Sequence, residues 1–199
     1  MSDSDFIIGA DEVGMGCYAG PVVVGAVRAP KDWALEGLND SKKLSEKRLD
    51  IMSAKLIELA FKNEIWFAIA ERSNNIIDSI GLAPAQKEAY IQSIQEIWHE
   101  GDTIILDGQL KLPANKIDVS RMKSVVKADS TVPTVMAASI LAKVYRDRKM
   151  VSLHEIYPAY NFASNVGYGT AEHREALEKF GPCAIHRFSY KPIKALMNK

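Results

Sequence analysis

The sequence predicts an α/β domain built on a mixed central sheet, and three observations lead there. Short β-branched runs bounded by glycine and proline alternate with stretches whose apolar residues recur at helical spacing. The two kinds of segment interleave along the chain, the pattern of a sheet with helices laid over it. Nothing repeats at a fixed period, and no low-complexity or Pro/Gly/Ser linker divides the 199 residues.

Taken in order, Phe6-Ile-Ile-Gly-Ala10 and Pro21-Val-Val-Val-Gly-Ala-Val27 read as buried strands. Ser45 then caps a helix in which Leu49, Met52, Leu56 and Leu59 share a face. Residues 64–70 alternate Ile65, Phe67 and Ile69 against Trp66, Ala68 and Ala70, and so form another strand. Pro84 sits in the first turn of a helix that carries Tyr90, Ile94 and Ile97 to a stop at Gly101. Thr103-Ile-Ile-Leu-Asp107 is a strand that ends in a carboxylate, and Ser124-Val-Val-Lys127 a further short one. Pro133 opens a long helix, apolar nearly all round over 135–142, with Arg146, Asp147, Arg148 and Lys149 on its wet end. Thr170 caps a helix that runs to Phe180 and stops at Gly181-Pro182. The sheet core thus spans about residues 1–165 of a single domain, and residues 166–199 form a basic helical extension.

Composition narrows the function classes. Hydrophobic residues make up 47% and charged residues 25%, which excludes a disordered tail, a collagen-like repeat and a coiled coil. Twenty-five basic and 25 acidic residues cancel, so bulk positive charge is not how this chain would coat nucleic acid. Its longest apolar runs fall far short of the ~20 residues of a membrane helix. Cys17 and Cys183 lie far apart with no CxxC, and Met1-Ser-Asp-Ser-Asp5 is acidic where a secretory leader would be basic. A soluble cytoplasmic protein is expected.

The carboxylates are more telling. The first strand runs into Asp11-Glu12, the strand after Gly101 into Asp107, and Asp129 follows Val125-Val126-Lys127-Ala128. Any one such acid is also a common turn or cap residue. Several strand ends behaving alike bring carboxylates to one rim of a sheet, where open α/β sheets place ligands. Like charges there repel unless cations sit between them, and hard oxygen ligands suit Mg²⁺ or Mn²⁺.

A competing motif, Gly14-Met-Gly16-Cys-Tyr-Ala19, matches a dinucleotide fingerprint. That fingerprint must open a helix, whereas here Gly20-Pro21 and a strand follow, and Asp11 and Glu12 would repel a pyrophosphate. Gly14 and Gly16 still permit close backbone approach to a ligand. No Walker A, H-E-x-x-H, G-x-S-x-G or zinc spacing occurs. His99 and His154 read as surface residues, and His173 and His186 matter only if the C-terminal region faces the site.

Positive charge falls in three places: Lys42-Lys43 with Lys47-Arg48; Lys111, Lys116, Arg121, Lys123 and Lys127, diluted by Asp118; and Arg187, Lys191, Lys194 and Lys199. Tyr168, Phe188 and Tyr190 are interleaved with the last group, and aromatic rings pack on sugars and bases. Lys47-Arg48 and residues 146–149 read equally as solvated helix faces. An acidic pocket ringed by basic arms is what a metal-dependent nuclease needs.

These motifs together resemble bacterial ribonuclease HII, the type 2 ribonuclease H family. The matching stretches are Gly9-Ala-Asp-Glu-Val-Gly14, Ala19-Gly-Pro-Val-Val23, Leu38-Asn-Asp-Ser-Lys-Lys-Leu-Ser45, Leu106-Asp-Gly108 and Val126-Lys-Ala-Asp129. Further on come Ala137-Ala-Ser-Ile-Leu-Ala-Lys-Val144 with Arg146-Asp147, Gly167-Tyr-Gly-Thr170 with His173, and His186-Arg187. The resemblance implies a ribonuclease H-like mixed sheet flanked by helices, with a C-terminal helical extension. It implies an endonuclease that cuts the RNA strand of RNA/DNA hybrids and 5′ of ribonucleotides in duplex DNA, leaving 3′-hydroxyl and 5′-phosphate. Ribonucleotide excision repair and primer removal would be its settings.

By the same resemblance Asp11, Glu12, Asp107 and Asp129 are catalytic and hold two Mg²⁺ or Mn²⁺ ions roughly 3.5–4 Å apart. Gly14, Met15, Gly16, Ser41, Lys42, Tyr168 and Arg187 form the substrate-contacting set, with Tyr168 on the sugar that carries the 2′-hydroxyl. The partner is nucleic acid rather than a membrane, the chain is expected to be a monomer, and the tail Lys194-Ala-Leu-Met-Asn-Lys199 carries no aromatic-pair clamp motif. Four positions depart from the family pattern. Met15 stands where Gly-Arg-Gly is usual, Gln109 for asparagine, Ala128 for glycine and Cys17 for proline. A thioether cannot replace a guanidinium on a phosphate, so Met15 is expected to weaken preference for a lone ribonucleotide. The related ribonuclease HIII family also lacks that arginine. A hybrid-specific ribonuclease H with weak junction preference and a non-catalytic RNA/DNA-binding relative are the alternatives.

Overall fold

The protein's structure, a computed structural model, describes residues 6–117 and 120–197. Met1–Asp5, Asp118 and Lys199, named above, lie outside the described residues. Those described form one five-stranded sheet of β1 (Phe6–Val13), β2 (Val22–Pro30), β3 (Trp66–Arg72), β4 (Thr103–Asp107) and β5 (Met122–Val125). The strand order is β3-β2-β1-β4-β5. β2 pairs antiparallel with both β1 and β3, while β4 runs parallel to β1 and β5. The sheet is therefore mixed, as its sequence pattern predicts.

The helices are α1 (Glu46–Phe61), α2 (Asn74–Ile80), α3 (Leu82–Gln95), α4 (Pro133–Ile156), α5 (Phe162–Asn165), α6 (Ala171–Phe180) and α7 (Lys191–Met197). Side chains alternate across β1 and β2, and each face finds its own layer. Ile8, Ala10, Val24 and Ala26 pack with Tyr90 and Ile94 of α3. Val27 packs with Leu56 of α1 and Ala138, Ile140 and Leu141 of α4. Each fully buried Leu, Ile or Val here contributes about 1.5–3 kcal/mol.

Two glycines set how closely α4 lies on the sheet. A Cβ at Gly9 would stand 2.3 Å from the Val135 nitrogen, and one at Gly25 2.5 Å from the Ala138 carbonyl oxygen. Only bare backbone permits that approach. Among the described residues, no helix is long and apolar enough to cross a membrane.

Some boundaries move for identifiable reasons. β1 continues three residues past Ala10, because β2 remains alongside with Asp11 opposite Gly25 and Glu12 opposite Val24. β3 starts at Trp66 because Asn63, at φ 57°, turns the chain after α1. β5 begins two residues earlier than expected, at Met122. The helices α2, α5 and α7 have 7, 4 and 7 residues, too short for periodicity to reveal or for local propensity to hold. Ser45 occupies an N-cap position but its side chain makes no capping bond, whereas Thr170 Oγ1 accepts from His173 N–H at 3.3 Å.

The wet end of α4 needs a larger correction. Arg146 is 0% exposed. Its guanidinium donates to the carbonyls of Pro21 at 2.9 Å, Val166 at 2.8 Å and Ala19 at 3.2 Å. A buried guanidinium is tolerable because backbone oxygens, themselves in need of donors, surround it.

Candidate active site

Asp11 and Glu12 are neighbours in a strand, so their side chains leave opposite faces of the sheet. Asp11 points to the α4 side, where Ser139 hydrogen-bonds to it, and Ser139 Oγ in turn lies 2.9 Å from Ser41 Oγ. Glu12 points to the α3 side, where the Tyr90 hydroxyl donates to its Oε2. Burial, reinforced by the charge of Glu12, holds the Tyr90 phenol well above its usual range, so it stays a donor.

Burial also pushes the Asp11 carboxyl up to about 7, the charges of Glu12 and Asp107 adding to the rise while the Ser139 hydrogen bond opposes it. Asp107, at the end of β4, accepts from the backbone N–H of Ala128 at 2.7 Å and more loosely from that of Asp129 at 3.4 Å. It thereby fastens the turn Ala128–Ser130 that carries Asp129. Asp129 is buried, and its Oδ2 accepts from Lys42 Nζ at 2.7 Å.

A cleft of about 260 Å³ opens between these elements, bordered by Asp11, Glu12 and Asp107 on one side. The Gly14–Gly16 backbone, Ser41, Lys42, Lys143 and the Tyr168 ring complete its rim. Asp129 stands one step behind, reaching the cleft through Lys42. Among the described residues no three Asp, Glu, His or Cys groups form a ready-made metal cage. The divergence of Asp11 and Glu12 across the sheet and the engagement of Asp129 by Lys42 account for this.

The donor set nonetheless fits a hard divalent cation. It is all carboxylate oxygen, and its central member is buried against two like charges, which a cation would relieve. Mg²⁺ needs only one or two protein carboxylates because it keeps water and substrate phosphate in its shell.

The opposite wall is built from loops. Arg187, expected among the substrate contacts, is instead 0% exposed. Its guanidinium donates to the carbonyls of Gly14, Met15 at 3.1 Å and Gly20 at 3.0 Å, and to the Tyr190 hydroxyl at 2.7 Å. Burial lowers its pKa, yet enclosure by carbonyls leaves the cation well satisfied. It positions the Gly14–Gly16 backbone rather than touching ligand. The segment around it is pinned from α2, with Asp78 accepting from the N–H groups of Phe188 and Ser189 and Asn74 donating to the Ala184 and His186 carbonyls.

Met15 packs its side chain against the small apolar cluster of Val22, Ile77 and Ala85. Tyr168 is 43% exposed, and its hydroxyl donates to the buried Cys17 thiol.

The chain matches the family model described as Ribonuclease HII over residues 8–193. It belongs to the ribonuclease HII family. A ribonuclease HII of Idiomarina loihiensis is 42% identical over 195 residues, covering 96% of this chain and 98% of that protein. The crystal structure of the ribonuclease H2 from Pyrococcus horikoshii superposes with a TM-score of 0.78 at 22% identity, covering 97% of each chain, and so shares the ribonuclease H-like fold. Bst-RNase HIII in complex with Mn²⁺ aligns with a TM-score of 0.72 at 21% identity, over 98% of this chain and 70% of that one.

As a ribonuclease HII, the protein is a ribonuclease H hydrolase. Sequence reasoning missed three residues of its cleft region: Tyr90, Ser139 and Lys143. Tyr90 reads as an ordinary apolar helix position, and its hydroxyl gives no periodic signal. Ser139 is a polar residue inside the apolar run of α4, the one local sign that this stretch faces a polar group. Lys143 lies one turn further along α4 and pairs with Asp147 at 2.8 Å on the cleft rim.

Proposed function

We propose that this ribonuclease HII hydrolyses the RNA strand of RNA/DNA hybrids and cuts 5′ of ribonucleotides embedded in duplex DNA, leaving 3′-hydroxyl and 5′-phosphate ends. The observation that carries the reading is the trio Asp11, Glu12 and Asp107 along one side of an open cleft, with Asp11 buried and raised in proton affinity by burial and by the other two charges. A pure binding protein gains nothing from acids that repel phosphate.

Asp11, Glu12 and Asp107 would hold Mg²⁺ or Mn²⁺, with Asp129 joining when Lys42 turns from it to a phosphate. Two such ions, when bound, supply an activated water and a Lewis acid for the leaving oxygen. The Mn²⁺ complex of the ribonuclease HIII relative supports this choice of metal. Ser139 keeps Asp11 aimed into the cleft, and Tyr90 does the same for Glu12. The Gly14–Gly16 backbone receives the scissile strand, while Tyr168 packs on the ribonucleotide sugar and senses its 2′-hydroxyl. Ribonucleotide excision and primer removal, in the cytoplasm, follow as the settings for such an activity.

The test is nicking of a duplex with one embedded ribonucleotide and of an RNA/DNA hybrid, with Mg²⁺, Mn²⁺ or chelator. Metal-dependent cleavage that vanishes in Asp11→Asn is expected. Tight binding without cleavage in either metal would leave only the binding-protein reading. Met15 favours a second reading, a hybrid-directed enzyme with weak junction preference, because its side chain is spent on the apolar cluster and offers no cation. Met15→Arg should raise the ratio of single-ribonucleotide to hybrid cleavage, and an unchanged ratio refutes that reading.

A further inference from the structure

Behind Tyr168, outside the cleft, lie two histidines with 0% exposure: His173 on α6, and His186 in the segment that follows. Their ring nitrogens form a chain of hydrogen bonds whose direction can be read from one end. The Cys183 backbone N–H points at His186 Nδ1 from 2.9 Å. The Cys183 carbonyl oxygen and thiol also lie near this nitrogen, both at 3.2 Å, but the amide is nearer and can only donate; we therefore assign His186 Nδ1 as the acceptor, with its proton on Nε2. That N–H donates to His173 Nε2 at 3.0 Å. His173, accepting there, carries its own proton on Nδ1 and gives it to the Tyr168 carbonyl at 2.8 Å.

Once His186 Nδ1 is assigned as the acceptor, the tautomer of His173 follows from it. The rings of Tyr160 and Phe162 enclose the pair, 5.0 Å to 6.3 Å between centroids, which holds both imidazoles in place. The chain ends on a residue held at three other points, the Thr170 N–H sharing the Tyr168 carbonyl at 2.8 Å. The Tyr168 N–H donates to the Asn165 carbonyl at 2.8 Å, and its hydroxyl to the Cys17 thiol.

We propose that His186 and His173 are positioning residues for Tyr168. The directed hydrogen-bond chain from Cys183 through both imidazoles fixes the Tyr168 backbone, and with it the angle at which the ring meets the substrate sugar. The inference rests on the function proposed above and assigns to the C-terminal extension a part in that function. Misplacing a contact group by as little as 1 Å can cost two orders of magnitude in rate, so the chain's effect on cleavage can be large for residues that never touch substrate.

The experiment is a double-mutant cycle on single-ribonucleotide cleavage, with melting temperatures recorded throughout. His186→Leu should lower kcat/KM roughly tenfold, and His186→Gln, which keeps a donor towards His173, should recover part of the loss. In a Tyr168→Ala background His186→Leu should have no further effect. Equal losses in both backgrounds, or a folded His186→Leu with unchanged kcat/KM, overturn the proposal. So does a Tyr168→Ala variant that cleaves like the parent, while leaving the nuclease reading intact.

Should His186→Leu not fold, imidazole ¹⁵N shifts of the unaltered protein decide the matter. His186 protonated at Nε2 and His173 at Nδ1 supports the chain, and any other pair of tautomers overturns it. A parent protein that cleaves nothing removes the functional reading and with it the role assigned to the pair.

Discussion

The acidic wall of the cleft hangs on strands, whereas the wall bearing Tyr168 consists of loops held by buried arginines. On the first wall, β1 and β4 lie hydrogen-bonded side by side, and Asp11 and Asp107 take their places from the ladder itself. On the second, residues 14–20 have no strand partner beyond one bridge between Ala19 and His186. Arg146 and Arg187 supply what a sheet would have supplied, namely donors for the loop carbonyls of Gly14, Met15, Ala19, Gly20 and Pro21. The two walls therefore differ in what they cost the fold. The acidic wall stores unfavourable charge, and the loop wall is stabilised by charge.

The sharpest break between them comes from single substitutions. Arg187→Ala leaves several buried carbonyls without donors and should destabilise the protein by about 3–5 kcal/mol, with loss of cleavage. Asp11→Asn should lower cleavage by at least ~10²-fold yet raise the melting temperature of the metal-free protein at pH 8, by the equivalent of ~1 kcal/mol or more. Thermal melts and nicking assays on the two variants check both. A destabilised Asp11→Asn protein would mean that the acidic wall is not under strain.

The walls should also respond to pH in opposite directions. Asp11 holds its proton up to about 7 in the folded chain against 3.8 in the unfolded one. The folded state therefore binds more protons between about pH 4 and 7, and stability falls as pH rises through that window, by about 4 kcal/mol in all. His186 is the reverse, because burial depresses it from 6.5 to about 4. The unfolded chain then binds more protons, and stability is lost as pH falls from about 6.5 through 4, by up to about 3 kcal/mol. Denaturant titrations of the metal-free protein from pH 4 to 8 should show a shallow net dependence. In Asp11→Asn the acid-side loss should stand alone.

A smaller effect sharpens the acidic wall internally. Tyr90→Phe removes the donor to Glu12 from inside the α3 layer. It should lower kcat/KM several-fold while changing stability by only about 1 kcal/mol, because Glu12 can recruit water at the cleft. A loss as large as that of Asp11→Asn would make Tyr90 more than an aiming group.

The four carboxylates could be found in the sequence because each follows an apolar run whose period identifies a strand or turn. The long helix α4 was equally legible from Pro133 and the apolar stretch after it. Lys42 was legible as a cation near the acids, but its bond to Asp129 links positions 87 apart, which no local pattern encodes. Arg146 and Arg187 misled for a related reason. Arg146 precedes three charged residues and Arg187 opens a basic tail free of acids, so both look solvated, and only the loop carbonyls folded round them reveal otherwise.

What the sequence determined by itself was the strands and long helices of a mixed α/β sheet and the order of the acidic motifs, since period, caps and turns are local properties of the chain; the ribonuclease H-like class followed from the resemblance its motifs carry. Tertiary structure alone decided that Asp11 and Glu12 face opposite layers, that Ser139 and Tyr90 meet them there, and that the two histidines point at Tyr168. The reason is physical: whether a polar side chain is exposed, paired or poised depends on groups brought to it by packing, often from a hundred residues away.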